Sequence, residues 1–127
     1  MGISGVRNNL CRLCGETVET LPHILLDCAA TKHAGLLILQ LAECLVPGLV
    51  PETALRLDLG DTDVLTDVAV STIIGTGFQL IWKKCLLGKG TDRHETRATL
   101  EAAVNILRRS RNKLAGEMIA DALSATQ

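Results

Sequence analysis

Cys11, Cys14, His23 and Cys28 follow one another at the spacing C-x2-C-x8-H-x4-C. Three thiols and one imidazole suit tetrahedral Zn²⁺, with Zn–S near 2.3 Å and Zn–N near 2.0–2.1 Å. The two-residue loop between Cys11 and Cys14 brings two sulfurs to one side of an ion, and a following element must fold back with the second pair. Four protein ligands leave no position for water, so the chemistry is structural rather than hydrolytic. Such an ion contributes on the order of 10 kcal/mol to ordering a segment with little core of its own. The competing reading is a set of buried free thiols around a satisfied histidine. His33 is a substitute ligand for Cys28 or His23. One demand follows from the spacing: positions 23 and 28 lie about 140° apart around an ideal α-helix, so the helix must distort or end near Cys28.

Residues 1–10 read as a polar lead-in to this cluster. Thr20 has the features of a helix N-cap, with Leu21 and Pro22 in the first turn. Helical periodicity through Ile24, Leu25, Leu37, Leu41 and Leu45 predicts helix to about Val46, broken near Cys28 to Thr31, and Pro47-Gly48 ends it. Val50 to Thr53 can start a short helical turn, whereas Leu55 to Leu59 alternates like a strand. A helix is expected from Thr62 or Asp63 to about Leu87, with acids at its start and Lys83 and Lys84 at its end, as the helix dipole prefers. Gly75 and Gly77 within it mark a kink or a close backbone approach. A final helix, capped by Thr91, is expected to run to about Ser124, with Leu100, Val104, Leu107, Leu114 and Met118 as its stripe. Phe78 and Trp82 are expected to share one buried face, Cys44 and Cys85 to pack in the core, and His94 to be solvated. The expected fold is mostly α: a small Cys3His zinc-finger-like module over residues 1–33 leads into three or four packed helices over residues 34–127, with one continuous domain as the alternative.

Composition limits the function. The chain has 127 residues, is 47% hydrophobic and 21% charged, and carries a net charge of −1, so no global field draws it to nucleic acid or to acidic membranes. One Phe, one Trp and no Tyr cannot build an aromatic base-stacking surface. Five cysteines, an odd number, speak against a complete disulfide framework. With no apolar signal sequence in the first ten residues, an intracellular compartment, the nucleus included, is expected. The longest uncharged run, Val68 to Trp82, is read as a core helix and not a membrane span.

Cys11-Arg12-Leu13-Cys14-Gly15-Glu16, with Glu19-Thr20-Leu21-Pro22-His23-Ile24-Leu25-Leu26-Asp27-Cys28, resembles the zinc-binding segment near the C-terminus of non-LTR (LINE-type) retrotransposon reverse transcriptases. The family pattern is a C-x2-C-G-E-like turn, then E-T, a variable pair and H-x4-C. It matches the four ligand candidates residue by residue. Ile81-Trp82-Lys83-Lys84 and the stretch from Thr96 through Leu107-Arg108-Arg109-Ser110-Arg111 look, more loosely, like the helical tail of such polyproteins. The resemblance implies an accessory region that follows a polymerase and binds template RNA or target DNA, with the metal holding its shape. The chain contains no Asp-Asp dipeptide and is too short for fingers and palm, so it is expected to be a detached C-terminal piece without catalysis of its own or a small-molecule substrate.

Charge is polarised along the chain. From Lys83 to Lys113 nine Lys/Arg stand against three acids, a local +6, and from Glu43 to Asp67 six acids stand against Arg56, a local −5. Arg108, Arg109, Arg111 and Lys113 form the candidate phosphate-contacting cluster; the bland alternative is a solvated helix face with pairs such as Arg93–Arg97–Glu101. Two readings from other classes remain. The apolar Leu36-to-Leu45 and Val64-to-Trp82 runs suit a protein-interaction module that packs on a polymerase or another partner. A restriction-like endonuclease would need Pro51-Glu52, Asp61 or Asp63 and Lys83 to converge on one metal, in a segment with no clear strand pattern.

Overall fold

The computed structural model describes residues 10–20, 22–55, 60 and 62–126. A single π-helical turn, His23–Asp27, is followed by α1 (Lys32–Leu45), the short α2 (Pro51–Leu55), α3 (Val64–Leu86), α4 (Arg93–Arg108) and α5 (Lys113–Ala125). The fold is mostly helical, with no strands among the described residues, and the Cys/His cluster precedes the helices. The strand-like alternation fails at its first residue, since Leu55 ends α2, and residues 56–59 lie outside the described set.

The four long helices form a bundle in which every pair is in contact. Helix α3 is its centre and buries Ala69, Val70, Ile73, Ile74, Gly77, Ile81 and Cys85. By length and composition α3 could also cross a bilayer, with a third of its most apolar window buried in the fold. Gly77 is where α1 comes closest: a Cβ there would lie 2.5 Å from the Ile38 side chain. Gly75, two positions earlier, faces open space, so of the two glycines only Gly77 marks a close approach.

Asp63 caps α3, its Oδ1 accepting from the Thr66 N–H at 2.6 Å. This backbone hydrogen bond, with the Thr66 side chain second, holds the Asp63 carboxyl below its ordinary range. A carboxyl with a depressed folded value stabilises above its unfolded value, near 3.9, and loses that stabilisation as pH falls through the folded one. Asp63→Ala should therefore lower the melting temperature by a few degrees at pH 7, with the gap to wild type closing below about pH 4. Thermal melts of both proteins from pH 3 to pH 7 check this; a gap that persists in acid refutes the carboxylate cap.

Several sequence expectations need correction. The last helix is two: Ser110 Oγ donates to Leu107 O at 2.8 Å and accepts from Asn112 N at 3.0 Å, a side-chain turn that competes with the helical ladder. Asp92, not Thr91, caps α4, and Asp92 Oδ1 accepts from Glu95 N at 2.7 Å. The stripe resumes in α5 on Ala115, Ile119 and Ala122, which leaves Leu114 exposed. Gly116 lets the two helices close, since a Cβ there would lie 3.1 Å from Leu107 Cβ. Phe78 and Trp82 do not share a buried face: Ile81 and Cys85 take it, and Trp82 is 38% exposed. Cys44 is exposed on α1, whose buried face runs through Leu37, Ile38, Leu41 and Ala42, while Cys85 is buried and His94 exposed as expected.

Candidate metal centre

The first two ligand candidates sit on a knuckle. Leu10 and Val18 form an antiparallel bridge, Cys11 N–H donates to Thr17 O at 2.7 Å, and Gly15 N–H donates to Cys11 O at 2.8 Å. The turn needs φ +69° at its fifth residue, which Gly15 supplies without strain. Arg12, between the two cysteines, grips Glu19 with a fork: Nε to Oε1 at 3.0 Å and Nη2 to Oε2 at 3.0 Å, while its backbone N–H reaches Oε1 at 3.1 Å. These bonds keep the Glu19 carboxyl below its usual range. They tie the loop to the segment that leads to His23.

The second pair is positioned by the π-turn. Thr20 caps it, Oγ1 accepting from His23 N at 3.2 Å. Cys28 N–H then donates to His23 O at 2.7 Å, an i→i+5 bond. The wider π-turn brings residue i+5 back toward the face of residue i, which an α-turn would not. Cys28 itself is extended, φ −67° and ψ 129°, and ends the turn. The distortion that the spacing demanded is thus present, and the Thr31 hydroxyl holds it by donating to Ile24 O.

The four donor atoms all lie within 4.8 Å of one another. Cys11 and Cys28 Sγ are 3.8 Å apart, and Cys14 Sγ and His23 Nε2 are 3.4 Å apart. A tetrahedron with the usual zinc bond lengths has S···S about 3.8 Å and S···N about 3.6 Å, so the polygon is already close to what a single ion needs. Electrostatics agree. The Glu16 backbone N–H, with further help from His23 and Thr17, lowers the Cys14 thiol to about 6 against the cost of its burial. Burial pushes the Cys28 thiol up to about 11. A dication would reverse that second effect, because coordinated thiols are deprotonated outright.

His33 does not join the group; it is exposed on the first turn of α1. The module packs on the bundle: Cys11, Ile24, Leu25 and Cys28 belong to the same buried cluster as the helices, and Thr91 N–H donates to Ala30 O at 3.1 Å. The Arg12–Glu19 fork and the Thr31 bridge were missed in sequence. An opposite-charge pair at positions 12 and 19 was the visible signal for the first.

The basic residues lie elsewhere. Arg108 ends α4, Arg109 and Arg111 stand in the turn, and Lys113 begins α5, so they cap a helical hairpin instead of lining one helix face. Arg108 is paired with Glu117 at 2.9 Å. Arg109, Arg111 and Lys113 are exposed and make no ion pair among the described residues. Of the anticipated helix-face pairs, Arg97–Glu101 forms at 3.7 Å, while Arg93 bonds Gln40 and the Thr126 carbonyl. Helix α4 spans 16 residues, so the basic turn sits about 24 Å along its axis from the end that meets the metal module. Of the nuclease constellation, Asp63 and Lys83 do not come together, being at opposite ends of α3 and about 30 Å apart, and the alternative Asp61 lies outside the described residues.

Fold and site together define a small helical domain with a Cys3His group able to hold a metal ion, plausibly zinc. Comparison with protein-family models, with curated proteins and with solved structures returned no match.

Proposed function

We propose that the chain is a zinc-stabilised accessory domain of the kind found at the C-terminus of non-LTR retrotransposon reverse transcriptases, assisting RNA or DNA binding and performing no catalysis of its own. The convergence of Cys11, Cys14, His23 and Cys28 carries the reading, because these are the residues on which the resemblance rests. The unpaired Arg109, Arg111 and Lys113 supply a compact positive tip for phosphate contact, and the upstream polymerase of the parent element is the natural protein partner.

Three phosphate contacts predict that affinity for mixed-sequence RNA or DNA falls roughly 40-fold between 50 and 200 mM salt. Replacing Arg109, Arg111 and Lys113 by Ala should weaken binding uniformly across sequences and flatten the salt slope by about three. Fluorescence anisotropy over a salt series measures both. Binding indifferent to salt and to those changes favours the second reading, a helical module that docks on a protein. Its support is the outer surface of α3, where Trp82, Leu86 and Val64 are exposed and no charge occurs from Val68 to Trp82.

A further inference from the structure

The four ligand candidates differ in their access to solvent. Cys11 and Cys28 are 1% and 0% exposed, and His23 is buried, whereas Cys14 is half-buried beside the exposed run Gly15, Glu16, Thr17 and Val18. A reagent arriving from water therefore meets the Cys14 sulfur first. Cys11 shares the same knuckle, and its sulfur lies within 4.8 Å of that of Cys14. Cys28 comes from a separate element: its N–H is bonded to His23 O in the π-turn, its carbonyl accepts from Thr31 N at 3.0 Å and Lys32 N at 2.8 Å, and its side chain is fully buried.

We propose that Cys14 is a modification site for hydroperoxides, and that its oxidation closes a Cys11–Cys14 disulfide that expels the metal. The inference rests on the zinc reading and adds a redox sensitivity to it. In the first step the Cys14 sulfur attacks the peroxide: an S–O bond forms, the O–O bond breaks, and the departing hydroxide or alkoxide takes a proton from solvent. The Cys11 sulfur then attacks the Cys14 sulfenic acid: an S–S bond forms, the S–O bond breaks, and hydroxide leaves as water after protonation. Two thiolates lose one electron each, and the peroxide is reduced by two. Two of four ligands are consumed, and the remaining imidazole and buried thiol cannot hold a structural ion alone.

The test uses the full chain with Cys44→Ser, which removes the exposed thiol on α1 that would compete for oxidant. Zinc content is measured first, then zinc release, free thiols and a sulfenic-acid trap are followed as hydrogen peroxide is added. Cleavage after Arg12 and after Glu16 or Glu19 places Cys11, Cys14 and Cys28 on separate peptides for mass mapping. The expected result is one zinc released for every two thiols lost, trap label on Cys14, and a Cys11–Cys14 link that dithiothreitol reverses with zinc uptake. Zinc retained through excess peroxide, a first label on Cys11 or Cys28, or a link to Cys28 overturns the proposal while leaving the metal centre standing. A protein that takes up no zinc under reducing conditions overturns both.

Discussion

Chelating the metal under reducing conditions is expected to abolish the cooperative thermal transition of the whole molecule, not of the knuckle alone. The magnitudes decide this. A structural zinc site contributes about 10–16 kcal/mol at neutral pH, whereas domains of this size have a net stability of only about 5–15 kcal/mol. The buried cluster makes the coupling physical, since Cys11, Ile24, Leu25 and Cys28 pack in the same core as Leu37, Ile73 and Ile81. Without the ion, Cys11, Cys28 and His23 stay buried and Cys14 half-buried there, with no cation to hold the four side chains together. Circular dichroism during chelation should show the transition vanish, and one equivalent of Zn²⁺ should restore it. Cys28→Ala should behave as the chelated protein does and ignore added zinc. A metal-free chain that melts cooperatively within a few degrees of the zinc-loaded one would refute the account.

Two glycine-to-alanine substitutions should have opposite signs. Gly35, in the first turns of α1, lies against the backbone of the π-turn: a Cβ there would clash with the Leu25 carbonyl oxygen and sit 3.0 Å from its carbon. Neither atom can swing away as a side chain would. Overpacking of this kind costs about 3 kcal/mol or more, roughly 10 °C in melting temperature here. Because the displaced segment runs directly into Cys28, zinc affinity should fall with stability. Gly75→Ala places its methyl group in open space on α3, where helix propensity alone applies and a gain of about 1 kcal/mol is expected. Denaturant melts of both variants check the pair. Equal effects would mean that α1 does not approach the π-turn as closely as described.

The parts legible in the sequence were those set by local chemistry. The C-x2-C turn, the Thr20 cap and the acidic start and basic end of α3 each depend on residues a few positions apart. Even the π-turn was foreshadowed, because an ideal helix cannot aim His23 and Cys28 at one point. What could not be read depends on which face finds a neighbour. Trp82 is the largest apolar side chain of α3, yet it lies about 100° from Ile81 and falls outside the face that the other helices cover. The split of the last helix was missed for a different reason. Leu107 and Leu114 are seven apart and mimic an unbroken stripe, whereas the Ser110 hydroxyl captures a carbonyl and restarts the helix with Ala115 inward. The basic cluster therefore became a tip instead of a face. Gly35 carried no signal at all, because its tight neighbour is a backbone atom.

The hydrogen bond from Thr91 to the Ala30 carbonyl has a consequence for biosynthesis. Beside it, a Cβ on Gly90 would lie 2.5 Å from the same oxygen, so the strap passes close over the end of the metal module. A nascent polypeptide that has left the ribosome only as far as Lys32 possesses every ligand but none of the surfaces that seal them. Some sixty further residues must be translated before the strap arrives. Early ion capture on the ribosome would therefore be reversible, and exchange should slow sharply only once the turn between α3 and α4 has emerged.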